Sequence, residues 1–202
     1  MGAAKQSQVR TIFTIGHSTR PIDEFIALLK SNGVERLIDV RTIPKSRHNP
    51  QFNSDSLARA LRSARIQYVH MKELGGLRRA RRDSPNMGWR NASFRGYADY
   101  MQTEEFEQAL RRAIQLATET ASALVCAEAV PWRCHRSLVS DALVVCGIEV
   151  LEIVGNSPPK PHKLTPFAQV SGMRITYLAE GTGDLFESPQ APEVSAKSRE
   201  GK

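Results

Sequence analysis

Long apolar runs are missing from this chain. Nothing approaches the ~18–20 consecutive apolar residues that a membrane helix needs, so no membrane span is expected. The stretch MGAAKQSQVR has no apolar core, so no secretory signal is expected. Gln6 stands where N-myristoylation wants Ser or Thr, so no lipid anchor is expected either. Cysteine is scarce: Cys126, Cys134 and Cys146 are the only three. An odd, small number builds no disulfide framework, and the chain reads as reduced and cytoplasmic. The common chemical motifs are absent too. There is no G-x-G-x-x-G, no Walker loop, no H-E-x-x-H, no G-x-S-x-G and no C-x2-C. A phosphatase-like loop needs Arg after five intervening residues. Six separate Cys126 from Arg133 and nine separate it from Arg136.

What remains is an ordinary globular composition. The 202 residues are 41% hydrophobic and 24% charged, enough for one domain. Such a chain buries roughly 70% of its unfolded surface. The net charge is +7, and 20 of the 28 basic residues are Arg. Residues 41–95 carry 13 Lys and Arg against three acids, a local net of +10. An Arg-biased block points to phosphate or carboxylate, because the guanidinium fork meets those oxygens two at a time. The cluster Arg78, Arg79, Arg81 and Arg82 has two readings: nucleic-acid contact, or a solvated basic surface. Trp89, Phe94, Tyr97 and Tyr100 lie nearby and could stack on bases, although the two tyrosines also fit a helix core face.

Strands and helices alternate. Short apolar runs predict strands at 12–15, 37–40, 66–71, 123–127 and 150–154, with a further short one near 175–177. Ile22, Phe25, Ile26 and Leu29 have helical spacing, with Ser18 or Thr19 as cap, Pro21 near the first turn and Gly33 as stop. Ser54 caps a helix with Leu57, Ala60, Leu61 and Ala64 inward. Residues 96–119 are helical with a break near Thr103, and 136–146 form a last helix ahead of Gly147. Gly75-Gly76 opens a long loop to about Ser93, and loops of that length are usually functional or disordered. The expectation is a single α/β domain over 10–180, with a mostly parallel sheet and helices on both faces, Rossmann-like or flavodoxin-like. Residues 1–9 and 181–202 are expected to be disordered.

In such sheets, ligands bind beyond the carboxyl ends of the strands. Reactive residue types gather there. The first strand leads to His17 and Ser18, the second to Arg41, Ser46 and Arg47, and the third to Glu73. The fourth ends in Cys126 and Glu128, and Cys134, His135 and Arg136 open the following helix. Two helix starts, at His17–Thr19 and at Cys134–Arg136, could hold an anion, with Arg41, Arg47 and Arg136 completing the cradle. Alternatively these arginines pair with Asp39, Glu73 or Glu128. Cys134, beside His135 and between two arginines, has the setting of a reactive thiol; Cys126 is the other candidate. Cys126 also fits a small core residue, and Cys146 is expected to be structural. A metal held by Cys126, Cys134, His135 and His17 is the third possibility, but the spacing matches no standard zinc pattern, so no metal or other cofactor is expected.

The segments TIGHSTRPIDEFIALL, DVRTIPKSRHNPQF, ELGG, YADYMQTEEF, CAEAVPWRCHRSLVSDAL and PHKLTPFA resemble the bacterial domain-of-unknown-function family 488, from about Ile12 to Phe167. The resemblance implies a compact cytoplasmic α/β domain and no known activity. Its signature blocks coincide with the strand-end residues above. Two functional readings follow. One is a hydrolase or transferase acting on a phosphate-bearing small molecule, nucleotide or nucleic-acid component. Arg41, Arg47 and Arg136 would hold the anion, with Ser18, Ser46 and Glu73 also at the substrate. Cys134 or Cys126 would be the nucleophile, and Glu128, His17 or His135 the acid/base. The other is a non-catalytic nucleic-acid-binding module using the basic segment 41–95. The oligomeric state is not legible.

Overall fold

The structure is a computed structural model that describes residues 11–179. The two ends expected to be disordered, 1–9 and 181–202, lie outside the described residues. Five parallel strands form most of the sheet: β1 (Thr11–Gly16), β2 (Arg36–Asp39), β3 (Gln67–His70), β4 (Ser122–Cys126) and β5 (Glu149–Ile153). The helices are α1 (Ile22–Ser31), α2 (Ser54–Ser63), α3 (Ala92–Tyr100), α4 (Glu104–Glu119) and α5 (Arg136–Val145). A two-residue strand, β6 (Lys160–Pro161), adds to the β5 edge antiparallel, and β7 (Ala168–Ser171) with β8 (Arg174–Tyr177) makes a separate hairpin. Among the described residues, no helix is long and apolar enough to cross a membrane.

The strand order is β3-β2-β4-β1-β5-β6. Helices cover both faces, as expected, but the order differs from the two expected variants. In the Rossmann and flavodoxin orders β1 pairs with β2. Here β4 lies between them and pairs with both. The insertion matters for function. It brings Gly16, Asp39 and Cys126, the last residues of β1, β2 and β4, together at one edge.

Side-chain alternation splits the core into two layers. Ile12, Ile38, Leu124 and Val150 face Tyr97, Phe106, Leu110, Leu138 and Leu143 of α3, α4 and α5. Ile15, Leu37, Val125 and Ile153 face Phe25, Leu29, Leu57 and Leu61 of α1 and α2. Cys126 belongs to the α3–α5 side, which sets the face on which its sulfur emerges.

Helix ends differ from expectation where the cap is a backbone matter. Pro21, not Ser18 or Thr19, precedes α1, and Asn53 precedes α2. The helix expected from 96 begins at Ala92, because the Asn91 side chain accepts from the Ser93 N–H at 2.8 Å. The expected break is at Thr103, whose hydroxyl accepts from the Phe106 N–H at 3.3 Å to start α4.

The long basic loop is pinned rather than loose. Buried Asp99 accepts from the Arg81 N–H, the Ser84 hydroxyl and the Asn86 amide. A Cβ on Gly96 would meet the backbone of 78–80 at 2.6 Å, so only glycine lets the loop lie this close. The Pro-rich strap after β5 is fastened to α5 through Asp141, to which His162, Thr165 and Tyr177 all bind.

Candidate active site

A pocket of about 420 Å³ opens at the carboxyl edge, beyond β2 and β4. Cys126, Cys134 and His135 line it, with Glu128 and Arg133 toward solvent and Arg41 from β2. Ile43, Leu77 and Phe94 add apolar walls.

Its centre is a sulfur–imidazole cluster. His135 Nδ1 lies 3.7 Å from Cys134 Sγ and 4.0 Å from Cys126 Sγ. His135 Nε2 lies 3.1 Å from the Val40 carbonyl. A carbonyl only accepts, so Nε2 carries the proton and Nδ1 turns a lone pair toward the sulfurs. The ring is held on both sides. Tyr97 packs against it at 4.9 Å between centroids, and a Cβ on Gly76 would fall 2.4 Å from Nδ1. That contact gives the ELGG segment a physical reason. Tyr97 and Tyr100 fix the segment by donating to the Leu74 and Glu73 carbonyls at 2.9 and 2.6 Å.

The acidities of the two buried thiols are pushed apart. The Cys134 S–H, donated to Cys126, holds Cys126 well below the ordinary thiol range against the cost of burial, and the Arg136 charge adds to this. The same bond, with burial, pushes Cys134 up. Cys134 Sγ also accepts from the Arg136 N–H at 3.4 Å, at the start of α5. Cys146 is half-buried and remote from the cluster, and burial pushes it up as well.

Arg136 is 1% exposed, and its Nη1 donates to the Ile15 carbonyl at 2.6 Å and the Glu128 carbonyl at 3.4 Å. Its Nε is buried without a partner. Among the described residues no carboxylate pairs with it. A buried cation without an anion is costly. The Cys126 thiol, whose acidity the Arg136 charge raises, is the compensation on hand, and an anionic ligand would add to it.

Arg41 is gripped by two residues, Asp39 and His17. Asp39 accepts from its Nε and Nη2 at 2.8 and 2.5 Å, and His17 Nε2 lies 3.1 Å from Nη1. Tyr68 donates to the same Asp39 at 2.8 Å. These contacts use three of the five guanidinium N–H groups, so the head is fixed with donors to spare. His17 is 2% exposed and stacks on Phe52 at 4.2 Å. Its Nδ1 donates to the Ser18 carbonyl at 2.8 Å, which leaves Nε2 to accept from Arg41. Burial holds it below the ordinary histidine range, and Arg41 adds to that. Both ring nitrogens are thus engaged away from the pocket, and His17 positions Arg41. It takes no part in the sulfur cluster, whose three ligand atoms lie within 4.8 Å of one another.

The remaining candidates lie outside the pocket wall. Ser18 turns the chain with φ 50° and donates its N–H to the Ala127 carbonyl at 2.9 Å. The Ser46 hydroxyl accepts from the Asn49 N–H at 3.0 Å, and Arg47 is exposed. Glu73 contributes its carbonyl, to Arg78 and Tyr100. Arg78 lies over the Tyr100 ring at 3.5 Å and braces the turn. Arg81 pairs with Asp83 at 2.6 Å, whereas Arg79 and Arg82 are simply exposed. Residues that sequence reasoning left out of the site are Arg133 and the apolar wall of Ile43, Leu77 and Phe94. Only the Cys134 neighbourhood signalled the first, and of the wall only Phe94 stood out in the sequence, as an aromatic able to stack on bases.

No curated protein and no solved structure matches the chain. The family profile described as "Domain of unknown function DUF488" matches residues 21–143, from α1 to within α5. That span carries the sulfur–imidazole cluster, Arg41 and the Gly75-Gly76 turn, and the chain belongs to this DUF488 family.

Proposed function

We propose that this chain is an enzyme, a hydrolase or transferase, acting on a small phosphate-bearing substrate in the carboxyl-edge pocket. One observation carries the reading. Buried Arg136, with no carboxylate partner among the described residues, stands behind a pocket-lining Cys126 that Cys134 and His135 flank. A site built this way favours negative charge, on the sulfur and on what approaches it. Arg133 at the rim and Arg41 at the wall meet the phosphate oxygens. The volume suits a nucleotide-sized ligand.

In the step we infer, Cys126 Sγ attacks phosphorus. An S–P bond forms as the P–O bond to the leaving group breaks. Glu128, as the acid, gives its proton to the departing oxygen. Glu128 then takes a proton from water, or from an acceptor alcohol, which attacks phosphorus and returns the thiolate. Donor and acceptor balance without a redox partner.

The test is iodoacetamide labelling of the metal-free native chain, mapped by mass spectrometry. Cys126 is expected to react faster than Cys146, and phosphate, pyrophosphate or a nucleoside monophosphate to slow it. Cys126 reacting no faster than Cys146, or indifference to all three probes, overturns the reading.

A further inference from the structure

The sulfur–imidazole cluster has a second competence that nucleophilic attack does not use. We infer that Cys126, Cys134 and His135 take one thiophilic divalent cation, of which Zn²⁺ is the type, and that this cation shuts off the Cys126 thiol. The silencing rests on the nucleophile reading above; the binding does not.

The spacing is the first argument. Bonds of about 2.3 Å to sulfur and 2.0–2.1 Å to nitrogen at a tetrahedral angle put S and N about 3.5 Å apart and the sulfurs about 3.8 Å apart. The observed S–N separations are 3.7 and 4.0 Å, and all three ligand atoms lie within 4.8 Å of one another. Inward shifts of no more than about 1 Å complete the geometry.

The tautomer is the second argument. A ligating imidazole usually donates its other N–H to a carbonyl or carboxylate. His135 Nε2 already does so to Val40, which leaves Nδ1 as the free donor atom. The Arg136 N–H on Cys134 is a further bond of the kind that steadies a ligating thiolate. Two sulfurs and one imidazole select zinc-like ions over the oxygen-seeking Mg²⁺ and Ca²⁺. Because all three residues line the pocket, the fourth position falls to water or a substrate oxygen. Binding releases the thiol protons to solvent and changes no oxidation state. It also engages the Cys126 lone pair that attack requires.

The experiment is a Co²⁺ titration of the full chain under reducing conditions, read by sulfur-to-cobalt charge-transfer absorption. One Co²⁺ per chain is expected, displaced by Zn²⁺. The band is expected to vanish in Cys126→Ser and in Cys134→Ser and to persist in Cys146→Ser. The unaltered chain supplies a parallel measurement: Zn²⁺ protects Cys126 and Cys134 together from iodoacetamide and leaves Cys146 labelling unchanged. Absence of a band, a band that survives Cys126→Ser, or no protection by Zn²⁺ overturns the inference. Fast metal-free labelling of Cys126 without a cobalt band sinks the cation alone. A cobalt band with slow metal-free labelling sinks the nucleophile alone.

Discussion

Arg41 and Asp39, two residues apart at the end of β2, form a buried two-point pair at 2.8 and 2.5 Å, with Asp39 fully buried. The alternation of a strand would send the two side chains to the same face, and the chain end turns them onto each other. The pair decides what Arg41 can do. It is a fixed donor in the pocket wall, not a free arm that reaches for a ligand. His17 and Tyr68 complete the brace from β1 and β3.

Breaking this brace is expected to cost the fold heavily. Asp39→Asn leaves the Arg41 charge buried without its anion, a loss of about 3–5 kcal/mol. At this chain length that lowers Tm by roughly 6–20 °C. Thermal melting by circular dichroism reads it. An unchanged Tm would show that the pair contributes no net stability and that Arg41 is held by His17 and packing alone.

Gly76→Ala is expected to damage the site more than the fold. The new methyl would sit 2.4 Å from His135 Nδ1, so the ring or the turn must move. Overpacking of this kind costs about 1–3 kcal/mol. His135 would lose its place between the sulfurs and the Val40 carbonyl. Cys126 labelling by iodoacetamide is the measurement. A rate equal to that of the unaltered chain would mean the ring position is irrelevant to the thiol.

Much of this arrangement was legible from residue order alone. Apolar runs such as Leu37–Val40 and Ala123–Ala127 mark strands, and the strand-end rule then selects Cys126, Arg41 and the Cys134–Arg136 segment. The sheet order was not legible, because pairing of β4 with both β1 and β2 depends on packing across the whole chain. Nor was the role of His17. A histidine beside a strand end looks like an acid or base until its two nitrogens are seen to be spent on Ser18 and Arg41. The contact of Gly76 with His135 and the hub at Asp99 join residues far apart in sequence, where periodicity carries no signal. The hairpin of β7 and β8 was half seen, since the alternation of Ala168–Ser171 spans only four residues, three of them exposed, and is too short to mark a strand.

The basic residues divide by what holds them. Arg133 lines the pocket and is exposed, so Arg133→Ala is expected to weaken phosphate or pyrophosphate binding by ~10–100-fold, the loss of a charge-assisted bond worth about 1.5–3 kcal/mol. Tm should hardly move, because surface substitutions stay within roughly 0.5 kcal/mol. Arg79→Gln with Arg82→Gln is expected to leave that binding unchanged, since neither lines the pocket. A nucleic-acid module working through the cluster demands the reverse: loss of DNA or RNA retardation in the Arg79/Arg82 variant and none in Arg133→Ala. Titration of all three proteins with pyrophosphate, and gel retardation at low salt, separate the two.

The strap that closes over α5 is expected to make stability depend on pH in one direction. His162 Nδ1 lies 2.7 Å from Glu152 and its Nε2 lies 2.8 Å from Asp141. Two carboxylate partners require protons on both nitrogens, so the ring is a cation in the fold. Burial opposes that charge, but the bond to Asp141 and then that to Glu152 outweigh it and lift His162 from 6.5 to about 9. The folded chain therefore binds this proton more tightly than the unfolded chain. The stabilisation is complete below the unfolded value of about 6.5, shrinks as the pH rises, and is gone above about 9. Other groups titrate over the same range, so the informative quantity is a difference. Tm of the unaltered chain minus Tm of His162→Gln should be largest near about pH 6 and should close toward about pH 10. A difference that stays constant across this range would mean the folded state holds His162 neutral. Asp141 sits on α5, the helix that Cys134 and His135 precede and Arg136 begins. Loosening the strap at high pH should therefore reach the sulfur cluster as well, and Cys126 labelling of His162→Gln at neutral pH is the way to see it without changing thiol ionisation.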